Sequence, residues 1–392
     1  MAMSVSGYNV EAVRRRFTML RDNAFTFLDA PGGSQVPDEV ANAYADNAKY
    51  SSANFGGFYP TSYRVTEVNK VAREKAAEFL GGDASQIVFG GSMTSVNFAL
   101  TRAAARSFQP GDEIITTALD HDGNVAPWRE LAKDLGLVMK VARVDENLFL
   151  DVEHLKSLIT DRTKVIAFPW SANSIGHMTP AKEICDIAHE AGAIAWVDAV
   201  QYAAHRKVDA RAIGADVITC SAYKFAGPHL GIAHVEDRVA KDWDGYKVMP
   251  RDNYPLGSRF ETGTQPYELL AGLIKTFDYL KSIGGFEKIE QHEEQLGQMM
   301  MDRLPAGIEV LGTKDVTKRV PTFLLDIPGV EAETVARRLG EQNIAVWHHD
   351  HWYAMSLGEY LPKRDTLRVG FAHYNNEMDV DRFITAISEF AK

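Results

Sequence analysis

Between residues 86 and 235 the chain alternates short apolar runs with amphipathic stretches. Runs at 86–89, 113–117, 138–144, 165–168, 194–197 and 217–220 are rich in β-branched and apolar residues, and a further run follows Gly231. Such brief, continuous apolar runs predict strands buried on both faces. Helical spacing fills the intervals at 96–106, 125–135, 151–159 and 180–191, and precedes the first strand at 63–79, where Gly81-Gly82 supplies a C-cap. Strands alternating with helices predict an α/β fold with a mostly parallel sheet covered on both faces. Upstream, the pattern predicts a helix at 10–24, a sharp turn at Pro31-Gly32-Gly33, a helix at 38–49 and an irregular, aromatic- and glycine-rich loop at 51–60. Downstream come an irregular stretch at 249–266 and helices at 267–282 and 287–303. Strands at 308–311 and 321–327, a helix at 332–342, strands at 344–347 and 366–370, and a helix at 377–391 then read as a smaller α+β unit. We therefore divide the chain into an N-terminal segment 1–25 packing with the small domain, a large domain 26–282 and a small C-terminal domain 283–392.

Composition narrows the class without changing this picture. The 392 residues are 45% hydrophobic and 24% charged, with a net charge of −11. That is ordinary globular composition, long enough for one large and one smaller domain. Arg14-Arg15-Arg16 is the densest basic run and reads as a solvated helix face, so nucleic acid is not an expected partner. No apolar run approaches the ~20 residues that span a bilayer, and the first residues lack a signal-peptide pattern, so no membrane partner and a cytoplasmic location are expected. Cys185 falls in a helical pattern and Cys220 in a strand, which argues against a disulfide framework.

The chemistry gathers where strands end. In open α/β sheets ligands bind off the carboxyl ends of the strands, and there lie Ser92, His121, Asn173, Asp198 and Lys224. Lys224 follows the apolar run 217–220 and precedes Gly227-Pro228 and Gly231. Buried strands exclude lysine unless it is paired or covalently used. One use is an imine with the aldehyde of pyridoxal phosphate (PLP); the other reading is a solvated loop lysine. Gly90-Gly91-Ser92-Met93-Thr94 joins a strand to a helix N-terminus, an arrangement that holds a phosphate, although Ser92 also suits a plain N-cap. Asp198 can pair with a protonated pyridine nitrogen or simply cap the next helix.

Asp198-x-x-Gln201 followed by Ser221-x-x-Lys224-x-x-Gly227-Pro228 resembles the class V branch of the aspartate-aminotransferase-fold PLP enzymes, and within it the cysteine desulfurase and selenocysteine lyase group. The resemblance implies that fold over nearly the whole chain, PLP as cofactor and Lys224 as its imine-forming lysine. It implies that Asp198 binds the ring nitrogen, Gln201 the phenolic oxygen, and that His121, within 119–128, stacks on the ring and can shuttle protons. Ser92 with the Gly91 and Met93 amides, Ser221, and Tyr223 or His205 would hold the phosphate. Asn173 would lie by the cofactor oxygen and substrate carboxylate, and Arg368 would clamp that carboxylate. Thr264 matches a residue given to the neighbouring subunit's phosphate, which implies a homodimer. Two departures stand out: Tyr223 replaces the usual histidine before the lysine, and the 346–356 region has no cysteine where desulfurases carry the one that takes up sulfur. The expected function is thus action on an amino acid, first as a C–S (β-elimination) lyase on cysteine or an S-substituted cysteine. Desulfurase or selenocysteine lyase, aminotransferase and epimerase activity are alternatives, and a non-catalytic scaffold is the remote one. His348, His349, His351 and Asp350 lack zinc spacing and are expected to line the substrate pocket, with no metal bound.

Overall fold

The computed structural model describes residues 8–248, 255–349 and 352–391. Its centre is a seven-stranded sheet of β1 (Ile87–Gly90), β2 (Glu113–Thr117), β3 (Val138–Ala142), β4 (Thr163–Pro169), β5 (Ile194–Asp198), β6 (Val217–Ser221) and β7 (Gly231–Val235). The spatial order is β1-β7-β6-β5-β4-β2-β3. Strands β3, β2, β4, β5 and β6 run parallel, and β7 is antiparallel to both β6 and β1. Every residue of β2, β6 and β7 is buried, as strands covered on both faces must be, whereas edge strand β3 leaves Val138 and Val141 exposed. This parallel core places the ends of β1, β2, β4, β5 and β6 at one edge.

A second, antiparallel sheet holds β8 (Glu309–Val310), β9 (Thr322–Asp326), β10 (Trp347–His349) and β11 (Thr366–Gly370), ordered β10-β11-β9-β8. Helices Gly285–Arg303, Ala332–Glu341 and Glu377–Ile387 cover it through Leu296, Met300, Val335, Leu339, Val380 and Phe383. The predicted strand at 344–347 is in fact two. Ile344–Ala345 pairs with Thr26–Phe27, and Trp347–His349 pairs with β11. The first pairing continues as a bridge from Asp29 to Gly370, which carries the Asp29–Gly33 turn to the carboxyl edge of the large sheet.

The predicted helix at 10–24 survives only as Val10–Arg14. Beyond it the chain turns through tight bonds, Arg16 N to Val13 O and Phe17 N to Arg14 O, which bury Phe17 and Leu20. Arg14 is itself buried against Asp379 (2.8 Å) and the Tyr374 carbonyl (2.7 Å), and these partners hold the segment where helix propensity would not. Two further helices start earlier than spacing predicts, at Met93 and Asp122, because Ser92 and His121 cap them. Among the described residues no helix is long and apolar enough to cross a membrane.

Candidate active site

Each strand end delivers one part of a cavity of about 210 Å³. After β1, Ser92 caps helix Met93–Ala104; its hydroxyl accepts from Ser95 N, and Ser95 Oγ accepts from Ser92 N. Gly231, paired with Gly90 across β7, fixes this turn. A Cβ there would sit 2.2 Å from the Ser92 carbonyl carbon, so only glycine lets the two backbones meet. Met93 and Thr94 line the cavity, and Met93 N donates to Ser221 Oγ at 3.4 Å. The helix N-terminus with the Ser221 hydroxyl makes an anion cradle.

After β2, His121 caps helix Asp122–Leu135 through Nδ1, which accepts from Gly123 N at 2.8 Å. That bond assigns the proton to Nε2. Burial, then the nearby Lys224 and Arg368 charges, push His121 down to about 4, so the ring is neutral. Beside it Asp120 accepts from Thr117 N and Oγ1 (2.7 Å each) and Asn124 Nδ2 (2.8 Å); burial nevertheless holds it at about 7.

Asp198 ends β5 and accepts from Val200 N at 2.8 Å; burial raises it to about 7. Lys224 lies just past β6. Burial first, then Arg368, lower its amine to about 7, against the opposing pull of Asp29 and Asp198. Its Nζ donates to the carbonyls of Pro31 and Gly32, and Gln201 Nε2 also donates to Pro31 O, at 2.9 Å. From the second sheet comes Arg368. Its Nη1 donates to Asn173 O (3.1 Å), its Nη2 to Asp29 Oδ1 (3.2 Å), and its guanidinium lies 4.6 Å from the Trp352 ring centre.

The cavity therefore brings together Met93, His121, Asn173, Asp198, Gln201, Ser221, Tyr223, Lys224 and Arg368. Gly91 and Ser92 do not line it, and the Ser92 hydroxyl is committed to the cap. Thr264 is exposed and outside it. His205 is a correction: it is buried against Glu293 (3.0 Å), whose carboxylate draws the ring away from the cavity. Tyr223 stacks on His229 with ring centres 4.8 Å apart. Of the histidine-rich segment, His349 lines the cavity and His348 does not; Asp350 and His351 lie outside the described residues. Sequence reasoning missed Asp29, Trp347, Trp352 and Tyr353. The glycine-rich turn after Asp29 was a usable signal, whereas the three aromatic residues lie in a segment without periodicity. Neither cysteine lines the cavity, and burial pushes Cys185 up to about 12 and Cys220 also up.

The donor set fits PLP: an amine, a carboxylate, a flat neutral ring and an anion cradle converge on one space. Gln201 Oε1, Asn173 Oδ1, Ser171 Oγ and Arg368 Nε are buried there with no hydrogen-bond partner among the described residues. Residues 26–383 match the family Aminotransferase class-V.

The chain belongs to the class-V aminotransferase family.

It is a PLP-dependent enzyme of the cysteine desulfurase-like kind. A probable cysteine desulfurase of Halalkalibacterium halodurans is 30% identical over 393 residues, covering 95% of this chain and 96% of that protein. An aminotransferase-like protein of Gibberella zeae is also 30% identical, over 401 residues and 98% and 99% of the two chains. The apo structure of a cysteine desulfurase from Thermococcus onnurineus NA1 superposes with a TM-score of 0.89 at 25% identity, covering 98% of both chains. This class-V fold is what sets β5 and β6 side by side, with Asp198 opposite Thr219 and Lys224 a few residues beyond.

Proposed function

We propose that this enzyme is a C–S lyase that eliminates the sulfur substituent from cysteine or an S-substituted cysteine. One observation carries the reading. The cavity assembles Lys224, Asp198, His121 and Arg368, while both cysteines are buried in the scaffold and the 346–356 segment, where the resemblance would put a desulfurase's sulfur-accepting cysteine, holds Trp352 and Tyr353 and no cysteine.

Lys224 would hold the cofactor covalently, Asp198 would face its ring nitrogen, and the Met93 and Thr94 amides with Ser221 would take its phosphate. Bound PLP supplies an electron sink for the carbanion at the substrate α-carbon. Beside a protonated ring nitrogen Asp198 would be ionised, because that charge would offset the burial that otherwise raises its pKa. Arg368, steadied by Asp29, Asn173 O and Trp352, holds the α-carboxylate. Lys224, its amine freed when the substrate's amino group takes its place and its pKa lowered by burial, would take the α-proton. The electron pair of that bond becomes the Cα–Cβ double bond, and the C–S pair leaves with sulfur, which gains a proton as the thiol. Water then converts the released aminoacrylate to pyruvate and ammonia.

On the same reading the enzyme is a homodimer in the cytoplasm, with exposed Thr264 reaching the neighbouring subunit's site. Residues 26–282 would form the cofactor-binding domain and 283–392 the domain carrying Arg368. The deciding experiment follows products from cysteine and S-methylcysteine. Pyruvate and ammonia in equal amounts are expected, with Lys224→Ala slowing turnover about a thousandfold or more. Alanine with a protein-bound persulfide, or turnover that requires a keto acid, would overturn the lyase reading.

A further inference from the structure

The floor of the cavity is polar, with Asn173, Asp198, Gln201 and Ser221, but its mouth is aromatic. Trp347, His349, Trp352 and Tyr353 come from one short stretch and all face the cavity. Trp347 is 50% exposed and Tyr353 56% exposed, although both line the site. Tyr353 stacks against His121 at 5.8 Å and 30°, and His349 lies 5.5 Å from the same ring.

The backbone beneath these rings is strained. Trp352 has φ +56° and Tyr353 φ +51°, a left-handed conformation that bulky residues avoid. Distant partners impose it. Asn173 Nδ2 donates to Trp352 O (2.7 Å), Trp352 Nε1 to Thr366 Oγ1 (2.8 Å), and Asp122 N to Tyr353 O. Trp352 thereby sinks under Arg368 as a positioning residue, which leaves Tyr353 and Trp347 flanking the opening.

We propose that Trp347 and Tyr353 form a subsite for the group carried on the substrate's sulfur, and that the enzyme acts on cysteine conjugates with an apolar or aromatic S-substituent in preference to free cysteine. The proposal rests on the lyase reading above. Free cysteine offers only a methylene and a thiol, nothing for two half-exposed rings to cover. Concave sites lined by aromatic rings take apolar groups.

The test compares kcat/KM for cysteine, S-methylcysteine and S-benzylcysteine in the PLP-loaded wild type, Trp347→Ala and Tyr353→Asn, asparagine being tolerant of the left-handed backbone. The benzyl substrate is expected to be the best, and the benzyl-to-methyl ratio to fall about tenfold in each variant. An unchanged ratio in both variants, or free cysteine as the best substrate, overturns the subsite. If no substrate yields pyruvate, the lyase reading fails by itself. Binding, read from the shift in cofactor absorbance, then decides the subsite: tighter S-benzyl- than S-methylcysteine sustains it, and equal affinity overturns it.

Discussion

Lys224 and Asp198 share one buried space, and each keeps its charge only at a cost that the other helps to set. An exposed lysine is almost wholly protonated at pH 7, whereas burial and Arg368 bring Lys224 to about 7. The sign of the consequence is plain. A lysine amine attacks an aldehyde only when neutral, so uptake of PLP by the apoprotein gains speed with pH until the amine has lost its proton. Stopped-flow absorbance after mixing apoprotein with PLP should show the rate rising about tenfold per pH unit below 7 and levelling off above it. A rate still climbing at that slope through pH 9 would show an ordinary lysine. Because Asp198 titrates in the same range, the midpoint belongs to the pair. These two residues were legible from sequence, since a lysine and an aspartate at buried strand ends demand an explanation. Asp29 and Tyr353 were not, because their roles come from partners far along the chain: Arg368 for one, His121 and Asp122 for the other.

At the level of elements, the strands were readable because burial on both faces writes a continuous apolar run. Helix starts were readable only to within a few residues, since caps set them, and histidine is an uncommon N-cap. The helix predicted at 10–24 failed because Arg14, Phe17 and Leu20 answer to tertiary partners rather than to local spacing. The N-terminus of helix Met93–Ala104, the proposed phosphate cradle, is seated by a single glycine of a neighbouring strand. Gly231→Ala would place a methyl carbon 2.2 Å from the Ser92 carbonyl carbon and 2.5 Å from Met93 N. The Ser92–Met93 turn must then move away from Ser221. Overpacking of this kind costs about 1–3 kcal/mol, so the variant should fold with a Tm lowered by several degrees. On the proposed reading its affinity for PLP should fall about tenfold or more, because the displaced amides would be the phosphate donors. Fluorescence titration with PLP checks this, and unchanged affinity alongside a lowered Tm would remove the turn from the phosphate site.

Considered whole, the molecule keeps an unusually aromatic surface in one place. Phe58 is 92% exposed, and Tyr50, Phe55, Tyr59 and Tyr63 of the same stretch are each about half exposed or more. Exposed aromatic side chains gathered in one stretch of chain suit burial by a partner, and the proposed homodimer, in which Thr264 would serve the neighbouring site, offers one. Complementation separates this arrangement from a self-contained chain. Lys224→Ala leaves Thr264 intact, and Thr264→Val leaves Lys224 intact. If Thr264 acts across the interface, a mixed dimer holds one site with both defects and one with neither. Random reassembly of equal amounts makes about half the dimers mixed, so about a quarter of all sites regain the full set. If Thr264 acts within its own chain, every site of a mixed dimer keeps one defect. Co-refolding the two variants and measuring pyruvate release should therefore give activity well above the mean of the separate preparations. Activity equal to that mean, with sedimentation confirming that mixed dimers formed, would place Thr264 outside the neighbour's site.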